Sequence, residues 1–246
     1  MKNLVDLHTH SDLCNHGFSS VTENIEYASS LGLQIYGISE HQPDKKGIGA
    51  SNIVFHNGPR IIPDYYNGMR VLKGIELNIL DDGSFDVSRF KVENLDYCIA
   101  SIHGYVYDHN HTVKENTENY LRAIYTPYIN ILGHIDQPGF ICDYEVVVKE
   151  AMKNNVLIEL NEASLDPVGS RCGAREKDVE ILGYCKKYNC PIILSSDAHI
   201  KYDIGKHDYS YELLKEMDFP DELIVNYDLD MLKKYIDFTK KNYKGE

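Results

Sequence analysis

Tryptophan is absent from this 246-residue chain, and basic residues are scarce: 25 Lys and Arg stand against 38 Asp and Glu, a formal charge of −13. A nucleic-acid backbone or an anionic membrane needs a basic surface, so sustained binding to either is not expected. The six cysteines (14, 98, 142, 172, 185 and 190) include no CxxC pair. That argues against a disulfide framework or a cysteine-rich zinc knuckle and favours reduced, mostly buried thiols. No apolar stretch is long enough to span a bilayer or to serve as a signal core, and the expected location is cytoplasmic. No internal repeat, low-complexity tract or linker divides the chain, which reads as one domain over residues 1–246.

The hydrophobic share of 43% can support a full core. A single α/β barrel typically needs about 250 residues. Short apolar runs recur at Leu4–His8, Leu33–Ser39, Arg70–Leu77, Asp96–Ile102, Ile129–Gly133, Val156–Leu160 and Pro191–Leu194. Several are continuous rather than alternating, as in parallel strands buried on both faces. Between them lie helix patterns. The clearest opens with a capping box, Ser20-Val-Thr-Glu23, shares a face through Ile25, Ala28 and Leu31, and stops at Gly32. Further helices are expected near 114–125, 143–154, 174–188, 208–217 and 228–242. Asp81-Asp82-Gly83 reads as a turn of a small hairpin after the third run, and 42–68 as a long functional loop. Alternating β and α units imply a parallel sheet, either doubly wound or closed into a barrel.

Histidines and acids gather where those runs end. His8 and His10 close the first, His41 follows the second, and Glu76 lies near the end of the third. His103 and His134 follow the fourth and fifth, and Asp197 and His199 follow the seventh. An α/β barrel places its active site at the carboxyl ends of its strands. Residues two apart on an extended segment point the same way, so His8/His10 and Asp197/His199 each present a pair. One histidine after a strand is ordinarily a loop residue; this many at matching strand ends indicate a metal site. Imidazole and carboxylate donors without thiolates suit Zn²⁺, Mn²⁺ or Fe²⁺ better than Mg²⁺ or Ca²⁺.

Asp6-Leu-His8-Thr-His10, Cys14-Asn-His16-Gly-Phe-Ser19, Ile38-Ser-Glu-His41-Gln-Pro-Asp44 and Gly74-Ile-Glu76-Leu-Asn-Ile79 resemble successive motifs of the PHP (polymerase and histidinol phosphatase) family. Ser101-Ile-His103, Gly133-His134 and Ser195-Ser-Asp197-Ala-His199 extend the resemblance, which runs from residue 4 to about 226 and is similar to the bacterial stand-alone phosphatases. It implies a distorted (β/α)7, TIM-like barrel holding three divalent metal ions, zinc or manganese, with iron also suited to the donors. The first metal would take His8, His10, Glu76 and Asp197. The second would share Glu76 and add His103 and His134, and the third would take His16, His41 and His199. His16 enters through the resemblance alone, since a histidine in a Gly/Ser-rich loop otherwise reads as surface.

Three divalent cations outweigh two carboxylates, so the pocket would be strongly positive and would need an anion such as phosphate. Metals bridged by Glu76 would share a water and lower its pKa, providing hydroxide near neutral pH. The expected function is hydrolysis of small phosphomonoesters, with a phosphorylated metabolite as substrate and inorganic phosphate as product. Histidinol-phosphate phosphatase is the nearest alternative, and a non-catalytic metal-binding or regulatory domain is a more distant one. Glu76 and Asp197 are the expected catalytic carboxylates. Arg171 and Arg60 are candidates to clamp phosphate through a guanidinium fork, with Arg175 competing. His109 and His111 form a second H-x-H in a polar loop and are expected to be exposed. Cys14, beside the first motif, is expected to pack rather than ligate.

Overall fold

The computed structural model describes residues 2–44, 46–88 and 90–239. Seven parallel strands form its centre: β1 (Val5–Asp6), β2 (Ile35–Ile38), β4 (Met69–Asn78), β5 (Tyr97–Ser101), β6 (Ile131–Leu132), β7 (Leu157–Asn161) and β8 (Ile192–Ser195). They pair in the order β1-β2-β4-β5-β6-β7-β8. β3 (Tyr65–Tyr66) pairs antiparallel with β4. Helices α1 (Val21–Ser30), α2 (Asn52–Ile61), α3 (Val113–Ile124), α4 (Tyr144–Lys153), α5 (Glu162–Leu165), α6 (Ala174–Tyr188), α7 (Asp208–Glu216) and α8 (Leu229–Leu232) complete the chain. The result is a nearly closed, distorted TIM-like barrel.

The continuous apolar runs are explained by two buried faces. Val5, Leu7, Ile35, Leu72, Tyr97, Ile99, Ile131, Leu157 and Ile193 pack together with Val225, Leu232 and Ile236 of the C-terminal segment. Their neighbours Ile75, Leu77, Cys98, Ala100, Leu132, Ile158, Leu160 and Leu194 belong instead to a second cluster with residues of α3, α4, α6 and α7. Each such Leu or Ile contributes about 1.5–3 kcal/mol by leaving water. Tyr97 reaches across the strands to the Leu7 carbonyl. Gly37 and Gly74 leave room for it: a Cβ on either would meet a Tyr97 atom at 2.3 Å.

Between β1 and β8 a side chain joins strands that do not form a continuous ladder. Asn226 Nδ2 donates to the Val5 and Leu194 carbonyls at 3.0 and 2.8 Å, and its Oδ1 accepts from Leu194 N at 2.8 Å. Above it, His10 N donates to the Ala198 carbonyl at 2.8 Å. The two ends of the sheet are thereby joined at the level where the ligand candidates begin.

The Ser20/Glu23 capping box forms as expected. Three other expectations need correction. The long segment 42–68 contains α2, capped by Ser51, with Gly58 and Pro59 inside the helix disguising its period. The hairpin precedes β4 rather than following it: Tyr66 pairs with Met69 across Asn67-Gly68, whose φ values of 48° and 84° suit a type I′ turn. Asp81-Asp82-Gly83 does turn, with Gly83 N donating to the Leu80 carbonyl at 2.7 Å, but no strand follows among the described residues up to 88. The helix expected over 228–242 is α8 alone, and 240–242 lie outside the described residues. Among the described residues, no helix is long and apolar enough to cross a membrane.

Candidate metal centre

The carboxyl ends of the strands bring nearly all the expected donors to one point. His8, His10, Glu76, His134 and Asp197 are each at most 6% exposed. His8 Nε2 lies 3.3 Å from Glu76 Oε2 and 3.6 Å from Asp197 Oδ1; His10 Nε2 lies 3.6 and 3.3 Å from the same two oxygens. Four donors on a tetrahedron with metal–ligand distances of about 2.0–2.1 Å have edges of about 3.3–3.4 Å. Those four separations match the edges of such a tetrahedron, and donor atoms of His8, His10 and Glu76 all lie within 4.8 Å of one another. On the other side of the same carboxylate, Glu76 Oε1 lies 2.9 Å from His134 Nε2 and 3.2 Å from His103 Nε2. One oxygen of Glu76 thus faces each group.

The remaining imidazoles are arranged less simply. His41 Nδ1 is 2.8 Å from Glu76 Oε2, and its ring is 4.2 Å from that of His10. Ring nitrogens of His10, His41 and His199 lie within 4.8 Å of one another. His16 is exposed on its loop, with its ring 4.5 Å from His199 and 5.0 Å from His41. His41 therefore stands between the Glu76 groups and the outer cluster.

Outer partners decide which nitrogen faces inward. His103 Nδ1 lies 2.6 Å from Asn78 Oδ1, and His199 Nδ1 lies 2.9 Å from the Asp197 carbonyl. Because a carbonyl only accepts, Nδ1 of His199 carries the proton and Nε2 keeps its lone pair. His8 Nδ1 is 2.8 Å from Glu159 Oε1. Glu159, whose other oxygen accepts from His134 N at 2.8 Å and Asn161 Nδ2 at 3.0 Å, was not singled out from the sequence. Its signal was a lone carboxylate inside the apolar run Val156–Leu160. Nε2 of His8, His10, His103 and His199 and Oε2 of Glu76 are buried without a hydrogen-bond partner among the described residues. Orphaned donors converging on one point are costly unless a cation takes them. The residues fit such a group.

The electrostatics agree. Burial alone would raise the Glu76 carboxyl, but His103, His8 and His41 hold it well below the usual carboxylate range. Burial would likewise raise Asp197, and His8 and Arg171 hold it well below. Burial would lower His8, yet the charges of Glu159, Glu76 and Asp197 hold it well above. Burial keeps His10, His103, His134 and His199 low, and therefore neutral. Two donors occupy strained backbone: His134 has φ 31° and Asp197 φ 54°. Left-handed non-glycine residues cost about 1–3 kcal/mol each and cluster at functional sites.

A cavity of about 510 Å³ opens over the donors, lined by His16, His41, His103, Tyr105, Arg171 and Asp197 among others. Arg171 reaches it and places Nη1 3.0 Å from Asp197 Oδ2, with Ser164 Oγ at 3.3 Å. Arg60 does not reach it: exposed in the last turn of α2, it bonds Asn57 Oδ1 at 3.3 Å, a correction that follows from the unforeseen helix. Arg175 points away along α6 to Glu216. His109 is exposed and stacks on Phe140 at 4.8 Å, whereas His111 is half-buried, 3.0 Å from Asp81 Oδ1, and not exposed as expected. Cys14 is a buried free thiol.

The model of the PHP domain matches residues 6–163. The chain belongs to the PHP domain family. Across 237 residues it is 38% identical to a "Probable phosphatase" of Clostridium botulinum, covering 96% of this chain and 95% of that protein. A "Probable phosphatase" of Clostridium acetobutylicum is 38% identical over 245 residues, with 99% and 97% covered. Among solved structures, the PHP chain resembles a histidinol phosphate phosphatase of Lactococcus lactis crystallised with zinc, L-histidinol and phosphate. Identity there is 19%, the TM-score is 0.58, and 89% of this chain and 95% of that one are covered. A Listeria monocytogenes crystal structure gives a TM-score of 0.62 at 18% identity, covering 84% of this chain and 99% of that one. Those two likenesses carry the barrel.

Proposed function

We propose that this chain is a metal-dependent phosphatase that hydrolyses small phosphomonoesters and releases inorganic phosphate. Its described residues and the matched family length support reading it as one catalytic domain. The proposed cofactor is three divalent ions, zinc or manganese, with iron also suited to the donors. His8, His10, Glu76 and Asp197 would hold the first; Glu76, His103 and His134 the second; His16, His41 and His199 the third. The observation that carries this reading is Glu76, whose Oε2 faces His8 and His10 while Oε1 faces His103 and His134. A carboxylate so placed would be able to serve two cations at once.

When bound, such ions supply an activated water and neutralise the charge of a phosphoryl group. The chain's own residues do the rest. Glu159, Asn78 and the Asp197 carbonyl fix three imidazoles with Nε2 inward. Arg171 spends Nη1 on Asp197, leaving other donors of its planar fork to grip a phosphate oxygen in the cavity. Tyr105, its ring stacked 5.2 Å from His103 and its hydroxyl donating to Asn78 Oδ1 at 3.2 Å, lines the cavity beside the donors. The L-histidinol of the Lactococcus lactis structure belongs to that protein.

The test is a panel of phosphorylated metabolites offered to metal-reconstituted protein. Phosphate release that disappears on chelation and returns with zinc or manganese is expected. Metal-loaded, folded protein that releases phosphate from none of them would overturn the reading.

A further inference from the structure

His8 and His10 turn their Nε2 atoms toward the same pair of carboxylate oxygens, but the space behind the two rings differs. Behind His8, Glu159 takes the Nδ1 position at 2.8 Å. His10 Nδ1 is buried with no hydrogen-bond partner among the described residues, and Glu40 Oε2 is in the same condition. A ring nitrogen of His10, a Glu40 carboxylate oxygen and the Cys14 sulfur all lie within 4.8 Å of one another. An unpaired buried donor beside an unpaired buried acceptor is costly for both, and pairing relieves both.

Glu40 is also built into the wall of the centre. Its other oxygen accepts from the hydroxyl of Ser11, the residue after His10. Its carbonyl accepts from Glu76 N at 3.0 Å, and Gln42 N donates to the Glu76 carbonyl at 2.8 Å. Alternation along this extended segment sends the His41 side chain toward Glu76 and that of Glu40 to the opposite side, under the His10 loop.

We propose that Glu40 is the positioning residue of His10, its Oε2 accepting the Nδ1 proton directly or through one water. Nε2 then keeps its lone pair for the cation shared with His8, Glu76 and Asp197. Glu40 serves His10 as Glu159 serves His8. The Cys14 thiol packs beside them and donates to the Ser11 carbonyl at 3.2 Å. The inference rests on the metal reading above.

Full-length protein carrying ¹⁵N-labelled histidine and loaded with zinc supplies the test. In the wild type, the His10 Nδ1 proton should resonate far downfield and exchange slowly, as that of His8 should. Glu40→Gln should move the His10 signal upfield, leave that of His8 in place, and weaken retention of one zinc against a competing chelator by about 10–100-fold. Glu40→Asp, which keeps the charge, should recover part of both effects. If Glu40→Gln does not fold, the same readouts on Glu40→Asp decide, because the shorter carboxylate must still shift the His10 signal. Folded variants with an unmoved His10 resonance and unchanged zinc retention overturn the role of Glu40 while leaving the metal reading intact. A wild-type chain that takes up no divalent cation overturns both.

Discussion

Arg171 Nη1 lies 3.0 Å from Asp197 Oδ2, the carboxylate oxygen turned away from His8 and His10. The pair places a fixed guanidinium at the edge of the donor cluster, 16% exposed and lining the cavity. Arg171→Lys keeps the charge but loses the planar fork. A charge-assisted hydrogen bond contributes about 1.5–3 kcal/mol, so inhibition by inorganic phosphate should weaken about 10–100-fold with metal content unchanged. An unchanged inhibition constant would leave Arg171 with only its structural bond to Asp197.

Glu76→Gln removes the charge that two donor groups share. A neutral amide cannot offset the repulsion of two cations held on either side. Turnover should fall by at least about 10²-fold, the scale seen when one preorganised electrostatic group is lost. Metal analysis should show at least one ion fewer per chain, with the far-ultraviolet circular dichroism unchanged. Normal turnover at normal metal content would remove the bridging role.

The sequence exposes these donors because strand ends leave a simple record. His8, His41, His103 and His134 each follow an apolar run, and each such run proved to be a strand. The Ser20/Glu23 box is equally local and formed as read. Glu159 and Glu40 were passed over because their partners are distant in sequence, and a buried carboxylate beside a ligand resembles a strand or loop residue when read alone. Arg60 was misplaced for a related reason. Gly58 and Pro59 mask α2, and without the helix there was no way to see that its last turn points Arg60 into solvent. Asn67-Gly68 is a local turn signal of the same kind, and it joins β3 to β4.

His207 supplies a prediction independent of the metals. It is 1% exposed, neither ring nitrogen has a hydrogen-bond partner among the described residues, and burial lowers it to about 3. Between pH 6.5 and about 3 the unfolded chain binds a proton that the folded chain refuses, so stability is present above pH 6.5 and lost as pH falls. One proton changes stability by about 1.4 kcal/mol per pH unit. Asp6, pushed up to about 6 by burial, works in the opposite direction, but it is common to both proteins when wild type is compared with His207→Leu. The variant should lose that much less stability per pH unit in denaturant titrations of chelated protein between pH 6 and 4. Parallel slopes would show that His207 is protonated in the folded state.

His16 is the most discriminating ligand candidate, because resemblance suggested it and the geometry admits a rival. The ring nitrogens packed within 4.8 Å are those of His10, His41 and His199, while His16 stands outside them on an exposed loop. Its ring is nevertheless 4.5 Å from that of His199. Burial, with His199 and His41 close by, lowers its imidazole to about 4, so it is neutral and able to donate a lone pair near pH 7. If His16 completes the outer site, His16→Ala leaves that cation with two imidazoles and no bridging carboxylate. Even outer-partner changes cost about 10–100-fold in affinity, and losing a direct donor should cost more. The Glu76-centred pairs keep every donor. His16→Ala should therefore fold normally, hold about two metals per chain and lose much of its turnover. Three fully occupied ions in a crystal structure of the variant would give the outer cation to His10, His41 and His199 instead. Loss of every ion would show that the three sites assemble as one unit.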